Sequence, residues 1–441
     1  MAEVRDAGTS ESASRGVLRG LGVPHVVDAQ GAARERPTWG KLAALPLYVL
    51  AMLVLAVGMF AAGQPVVGVV FVALGVVPTV GVALFASAQL PLLVGRFDAE
   101  GAPGLGRWLG ATRRELEAWA PTLLRAEVDV LEANRSREAE AVGAWLAEAG
   151  EPERVEVASA DGARLVGHVL APRLDGGVTG AGEAVSGWDE PATDESAAAP
   201  AAVHGGVAPE GPECWVVLAH GYGGTWRDGL LHARRYAERG YHVLLVDLRA
   251  HGESEGALVG LGWLDRLDLV AWCTWLAERA GRDARVVLHG TGMGAAAALL
   301  AAAEEGLPAQ VRACVADSAY SDAWNVAVRL LSGEDGRQSA HPLVDLLRLA
   351  LRLRPGGYDA ALASPEAAVA SSRVPVLLLQ GDQDTVVAPY MAERLGAACG
   401  GAAADDDHQL VMFEGAGHAE AALADPVGYY WRTFTFLKRY V

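Results

Sequence analysis

Residues 42–95 contain no Asp, Glu, Lys, Arg or His, so 54 consecutive positions carry no charged side chain. A helix needs about 20 apolar residues to cross a bilayer, so this run is long enough for two spans. Segment 63–65 interrupts the run with Gly and Pro, which favour a turn. The sequence therefore predicts a transmembrane hairpin with helices over 42–62 and 66–94. A secretory signal peptide fits poorly, because residues 1–41 precede the run and the run is too long.

The positive charges around this hairpin predict its orientation. Lys and Arg near membrane spans concentrate on the cytoplasmic side, and both flanks of the hairpin carry them while the turn does not. We therefore expect a two-span protein of the cell membrane with both ends, and the large C-terminal domain, in the cytoplasm. The flanking charges are Arg34, Arg36 and Lys41 before the hairpin, and Arg96, Arg107, Arg113 and Arg114 after it.

Two other interpretations of the apolar run stay open. The run is compatible with a buried helical hairpin inside a soluble domain. It is also compatible with a single span followed by a re-entrant piece, which would place the large domain outside the cell. The discriminating feature is the length of the charge-free run, which favours two spans.

Composition narrows the classes of partner. The chain has 54 acidic and 36 basic residues and a net charge of −18, which argues against broad electrostatic binding to nucleic acid. Its four cysteines lie far apart and form no CxxC pair, so a disulfide framework or zinc site is not expected. We therefore expect the membrane as a partner, and no nucleic acid, cofactor or metal.

Composition also divides the chain into segments. Residues 1–41 are rich in Gly, Ala, Ser and Arg without periodicity, which predicts a disordered tail. Residues 96–150 predict a helical connector, amphipathic over much of its length and interrupted at Pro121. Residues 151–441 form the large domain. Within it, residues 173–212 have few large apolar side chains, which predicts a flexible insertion.

The large domain alternates short apolar runs with helical patterns. It opens with a predicted hairpin around Asp161 and Gly162, a sequence that favours a tight turn. Continuous Val and Leu runs follow, as in strands buried on both faces of a parallel sheet. The predicted fold class is therefore α/β, with a mostly parallel sheet and helices on both faces. The predicted strands are Trp215–Ala219, Val243–Val246, Val286–Leu288, Ala313–Ala316, Val374–Leu379 and Leu410–Phe413.

Polar motifs follow the predicted strands, at the edge where α/β sheets carry their chemistry. In chain order they match HGxxG, DxRGHGxS, GxSMG, GxxD and GxxH, apart from one position in the third motif. This series over residues 154–441 resembles the α/β-hydrolase superfamily, and more narrowly its serine aminopeptidase S33 and monoglyceride-lipase-like branch. The matching segments are His220–Gly224, Asp247–Ser254, Gly290–Gly294, Gly381–Asp384 and Gly415–His418.

The resemblance implies a role for each motif. Tyr222 and Met293 would supply the backbone N–H groups of an oxyanion hole, which stabilises developing negative charge. Asp384 would orient His418, and His418 would act as the general base. The helical segment 319–373 would form a short, apolar lid, which suits a lipophilic ester or acyl ligand.

The sequence departs from the family at the nucleophile. Where the family has serine, this chain has Gly292, which has no side chain to attack a carbonyl. Thr291 is a weaker candidate for a substitute nucleophile, because the sharp turn points neighbouring side chains elsewhere and Thr is bulkier. Ser254 and Ser318 are also weaker candidates, because the family uses the equivalent positions structurally. Conventional serine catalysis is therefore not expected, and the chain is predicted to be a pseudoenzyme of serine-hydrolase (ester/acyl or peptide) descent. A working hydrolase with a non-standard nucleophile or an activated water is the alternative.

The same loop also fits a dinucleotide-binding fingerprint. Gly290-x-Gly292-x-x-Ala295 follows a predicted strand and opens a helix, and the next strand ends in Asp317, where a ribose-binding acid would lie. Three strands precede the loop, whereas the fingerprint normally opens its domain. Nucleotide binding would also leave the His and Asp motifs unexplained, but the alternative stays open on the sequence.

Overall fold

A computed structural model provides the fold. The predicted tail, most of the second predicted span, the insertion and the middle of the predicted lid fall outside the residues that it describes. The described residues are 39–62, 64, 66–67, 69–73, 122–172, 212–332, 342–354, 356–399 and 408–441.

The described strands form one eight-stranded sheet in the order β1-β2-β4-β3-β5-β6-β7-β8. The first two strands pair antiparallel as the predicted hairpin, and β2 pairs antiparallel with β4, while strands β3 to β8 run parallel. The predicted mostly parallel α/β sheet is confirmed. The strands are β1 (Glu153–Ala158), β2 (Arg164–Leu170), β3 (Cys214–Ala219), β4 (His242–Val246), β5 (Arg285–Thr291), β6 (Val311–Asp317), β7 (Val376–Gly381) and β8 (His408–Phe413).

Helices connect the strands and cover both faces of the sheet. They are α1 (Trp39–Ala61), α2 (Thr122–Ala149), α3 (Leu230–Ala237), α4 (Asp265–Ala280), α5 (Met293–Ala302), α6 (Ala323–Ser332), α7 (Pro342–Leu353), α8 (Pro365–Val369), α9 (Pro389–Ala398), α10 (Ala421–Ala424) and α11 (Pro426–Leu437), with short 3-10 turns at Trp226–Gly229 and Ala360–Leu362.

Successive strand residues enter two separate cores, one on each side of the sheet. Val217 and Leu288 point into the core that contains Trp272 of α4, whereas Val216 and Val287 point into the opposite core. Side chains alternate between faces along a strand, so burial on both faces requires the continuous apolar runs seen in the sequence. Packing on both faces keeps the parallel strands side by side, so their carboxyl ends lie at one edge of the sheet. The polar motifs directly follow these strand ends.

Helix α2 lies within the predicted connector and begins directly after Pro121. It packs on the C-terminal part of the domain, where the Asn134 amide donates to the Leu423 carbonyl over 2.7 Å and Arg135 pairs with Glu420 at 2.9 Å. Its Trp145 side chain is buried in one of the two sheet cores. The described part of the connector is therefore packed against the domain that contains the sheet.

Helix α1 covers most of the first predicted span. Several of its apolar side chains are exposed, including Val54 and Val57. Within the part of the chain whose side chains are described, no helix combines the length and hydropathy that a membrane crossing needs. The second predicted span, 66–94, lies mostly outside the described residues. The transmembrane hairpin thus stays a prediction.

Candidate active site

Gly292 lies at a sharp turn between β5 and α5, with φ +56° and ψ −113°. Its two glycine neighbours are required by packing, because a Cβ on Gly290 would collide with the Gly294 backbone and one on Gly294 with the Ala219 carbonyl. A Cβ on Gly292 would meet no backbone so closely, since its nearest neighbour would be His418 Nε2 at 3.2 Å. A side chain at position 292 would therefore begin in close contact with His418, with no backbone atom nearer than 3.8 Å.

His418 and Asp384 come together from two different strand ends. His418 Nδ1 lies 2.8 Å from Asp384 Oδ2. The other oxygen of Asp384 accepts the backbone N–H groups of Val386 and Val387 at 2.9 and 2.8 Å, which fixes the carboxylate. An imidazole that donates from Nδ1 to a carboxylate presents Nε2 on its other side. In this structure Nε2 faces Gly292.

The charge around His418 favours its protonated form. Burial opposes protonation, but the hydrogen bond and charge of Asp384, with the charges of Asp317 and Glu420, raise the pKa of His418 above its ordinary value. Asp317 is itself fully buried, and burial raises its pKa to about 6 although Ser318 and Tyr429 donate hydrogen bonds to it. His418 thus interacts electrostatically with more than one acidic side chain.

Two backbone segments adjoin the turn at Gly292. Gly221, directly before Tyr222, has its Cα 3.8 Å from the position of a Cβ on residue 292. Met293 is the first residue of α5, and N–H groups in the first turn of a helix have no acceptor within the helix. The arrangement is compatible with the oxyanion hole that the resemblance implies for Tyr222 and Met293, and those roles stay predictions.

His220 and His251, from the first two polar motifs, accept hydrogen bonds from the backbone at this edge of the sheet. His220 Nε2 accepts the N–H of Leu248 at 3.0 Å, and His251 Nε2 accepts the N–H of Gly223 at 3.1 Å. Burial lowers the pKa of His220 to about 4 and that of His251 to about 3, so both are neutral at pH 7. A neutral acceptor nitrogen tied to a backbone amide is a structural group.

The hydroxyl groups considered as substitute nucleophiles lie in structural settings. Ser254 Oγ donates to the Asp247 carbonyl at 2.7 Å and accepts the Val166 N–H at 2.8 Å. Ser318 Oγ donates to the Asp317 carboxylate and accepts the Ala419 N–H at 3.0 Å. Both serines are fully buried. Thr291 is a ladder residue of β5, paired with β6.

A buried chain of hydrogen bonds beneath the site was not predicted from the sequence. Tyr236 Oη lies 3.0 Å from His289 Nδ1, His289 Nε2 lies 3.2 Å from Tyr429 Oη, and Tyr429 donates to Asp317 at 2.9 Å. The four residues lie in α3, in β5, in α11 and at the end of β6, so they have no fixed spacing along the sequence. A polar His289 within the apolar strand β5 was the one available signal, because a buried polar side chain needs a partner.

The same chain bears on the nucleotide-binding alternative. Asp317 would have to offer a carboxylate oxygen to a ribose hydroxyl. Both of its oxygens instead accept hydrogen bonds from Ser318 and Tyr429, and the residue is buried.

Among the described residues, no group of three or more His, Cys, Asp or Glu side chains is arranged to hold a metal ion.

Comparison with known proteins finds a matching family profile and a relative of similar sequence. The sequence profile of the X-Pro dipeptidyl-peptidase (S15) family matches residues 161–341. The protein YqkD of Bacillus subtilis (strain 168), described as uncharacterized, is 29% identical over 192 residues, which span 43% of this chain and 61% of YqkD. The matching profile is thus S15, and the predicted S33 branch stays a prediction.

Solved structures with a similar fold include an esterase and a peptidase. The Pyrococcus furiosus esterase Pf2001 is 20% identical, with 66% of this chain and 93% of the esterase covered at a TM-score of 0.45. The Pyrococcus horikoshii acylaminoacyl peptidase is 14% identical, with 66% and 42% covered at a TM-score of 0.44. This sheet and the S15 profile match over residues 161–341 support membership of the α/β-hydrolase superfamily.

Proposed function

We propose that this protein is a membrane-anchored α/β-hydrolase-superfamily member, S33-like in its motifs, that does not perform conventional serine catalysis. Its cleft instead binds a lipophilic ester or acyl ligand. One observation carries the proposal: His418 Nε2 lies 3.2 Å from the point where a side chain at residue 292 would begin, and residue 292 is glycine. An acyl-enzyme needs a nucleophilic side chain at that point.

The rest of the site supports loss of one group rather than a different design. Asp384 still holds His418 with Nε2 toward Gly292, at the distances given above. The turn at Gly292 keeps a positive φ, and its glycine neighbours keep the close backbone packing of a nucleophile elbow. Since Ser254 and Ser318 are buried in hydrogen bonds, neither hydroxyl is available to replace the missing one.

A fluorophosphonate probe tests this proposal on the full chain. We expect no labelling of the natural protein, labelling of Gly292→Ser, and none of the double variant Gly292→Ser with His418→Ala. Labelling of the natural protein that is lost on His418→Ala would overturn the proposal and point to a non-standard nucleophile.

Membrane anchoring is the second part of the proposal. It is supported by the charge-free run 42–95, by the exposed apolar side chains of α1 and by the positive flanks. These flanks favour a cytoplasmic catalytic-type domain with the turn at Gln64 outside. A charge-free helix with exposed Val and Leu side chains is stable in hydrocarbon, where its backbone groups are satisfied within the helix.

Labelling of a cysteine at the turn tests anchoring and orientation together. The natural cysteines all lie at or beyond residue 214, so Gln64→Cys adds a thiol far from them in the chain. In intact cells, a membrane-impermeant maleimide should label Gln64→Cys and leave the natural protein unlabelled. Recovery of the full chain in the soluble fraction, or labelling of the natural cysteines in intact cells, would contradict the proposed topology.

A further inference from the structure

We propose that helix α2 positions His418, and that Asn134 and Arg135 are the residues through which it does so. Both side chains contact the segment 415–423, called the His418 loop below. This role needs neither a nucleophile nor a membrane anchor, so it goes beyond the proposed function and can fail separately from it.

The His418 loop contains a residue whose conformation needs support. Ala419 has φ +56°, which a residue with a side chain rarely adopts. Such a conformation persists only where the surrounding groups hold it in place. Ser318 Oγ accepts the Ala419 N–H at 3.0 Å, and Asp384 binds the His418 imidazole at 2.8 Å. These two contacts hold residues 418 and 419, whereas α2 holds residues that follow them.

Arg135 acts on the loop through Glu420. Arg135 Nη2 donates to Glu420 Oε1 at 2.9 Å, and the Glu420 side chain is only 6% exposed. The other oxygen of Glu420 would lie 2.5 Å from a Cβ on Gly417, so the carboxylate covers the residue directly before His418. A nearly buried carboxylate is stable when it is paired, and Arg135 pairs with it from outside the loop. The ion pair therefore fixes a side chain that closes the loop around His418.

Asn134 makes a second contact, one residue earlier in α2. Its Nδ2 donates to the Leu423 carbonyl at 2.7 Å, and the residue is buried. Arg137 donates to Asn134 Oδ1, so the amide directs its oxygen to Arg137 and its nitrogen to the loop. The Leu423 N–H in turn donates to the Glu420 carbonyl at 2.9 Å. Adjacent residues of α2 thus hold both ends of the turn from Glu420 to Leu423.

Helix α2 is itself held on the domain by contacts that do not involve the loop. Glu138 accepts hydrogen bonds from Arg234 at 2.6 Å and from Arg235 at 2.5 Å, both on α3. The Trp145 side chain is buried in one of the two sheet cores. Because these contacts remain when Arg135 is removed, the helix can act as a fixed support. Loss of Arg135 should therefore free the His418 loop without releasing α2.

The solvent exchange rate of the His418 Nδ1 proton, measured by proton NMR on the full chain in detergent, tests the proposal. This proton lies in the bond to Asp384, and its resonance is identified by its absence from His418→Gln. The His418 side chain is 30% exposed, so water reaches the proton when the loop opens. We expect Arg135→Ala to raise the exchange rate roughly fivefold, because loss of the ion pair makes local opening more frequent. Asn134→Ala should raise it by a similar factor.

Glu138→Gln is the matched control on the same helix. It weakens the ion pairs with Arg234 and Arg235 but leaves Arg135 in place, so the exchange rate should stay within about twofold of the natural value. Arg135→Lys keeps the positive charge and should retain most of the protection. Glu420→Ala should speed exchange, and addition of Arg135→Ala to it should have no further effect, because Arg135 acts through Glu420.

Three results would overturn the proposal. The first is an unchanged exchange rate in Arg135→Ala, and the second is an equal increase in Glu138→Gln. The third is a double variant with Glu420→Ala that exchanges faster than Glu420→Ala alone. Backbone amides of β5 in the same samples report global unfolding, and an equal rise there would also overturn a local role. Fluorophosphonate labelling of the natural protein would defeat the proposed function and leave these results unchanged.

Discussion

The two halves of the site differ in what they have kept. The half formed by β5 and α5 has a sharp turn of positive φ at Gly292, a residue without a side chain. The half that carries Asp384 and His418 keeps its side chains and their hydrogen bonds. The difference is physical: a glycine is well suited to positive φ, whereas loss of Asp384 would leave buried N–H groups without acceptors. The first half can thus lack a side chain at little cost to the fold, whereas the second half cannot.

Substitution of Gly294 should have the largest effect on stability. A Cβ there would collide with the backbone carbonyls of Ala219 and His220, so the neighbouring strand must move. We expect Gly294→Ala to lower the free energy of unfolding by on the order of 3 kcal/mol. Gly292→Ala is the matched control, where only the positive φ and contact with His418 oppose the methyl group, at about 1 kcal/mol. If chemical denaturation shows that Gly294→Ala and Gly292→Ala lose the same free energy of unfolding, the predicted difference between the two positions is wrong.

The pH dependence of stability tests the charge beneath His418. Burial raises the pKa of Asp317 from 3.8 to about 6, so protonation favours the folded state. This stabilising contribution is complete below pH 3.8 and is lost as the pH rises through 6, by up to about 3 kcal/mol. The stability of the natural protein relative to Asp317→Asn should therefore fall between pH 4 and 7. A constant difference between their denaturation midpoints would show that Asp317 keeps an ordinary pKa.

Truncation of Asp384 should destabilise by a smaller amount. Asp384→Ala removes the acceptor for two backbone N–H groups, those of Val386 and Val387, and for His418. We expect a loss of about 2 kcal/mol in the free energy of unfolding. Asp384→Asn, which keeps one carbonyl oxygen, should lose less. If Asp384→Ala unfolds at the same denaturant concentration as the natural protein, then retention of this half has no structural cause.

Features that follow from a local sequence pattern were predictable from the sequence. Features that depend on contacts between distant elements were not. The continuous apolar runs located the strands, and glycines at fixed spacing located the turn at Gly292. The predicted strand Val286–Leu288 was too short, because Gly290 and Thr291 also pair with β6 in the ladder. Glycine disfavours strands in isolation, so only the neighbouring strand reveals that extension. The buried chain from Tyr236 to Asp317 was invisible for the same reason: it depends on which elements become neighbours.

The packing of α2 on the domain changes where a soluble fragment should begin. Asn134 and Arg135 contact Leu423 and Glu420, within a few residues of His418. A fragment cut at residue 151, where the apparent domain starts in the sequence, would lose these contacts and expose the core that Trp145 covers. Expression trials should therefore start at or before Thr122, so that the recombinant piece includes the helix that supports the histidine loop.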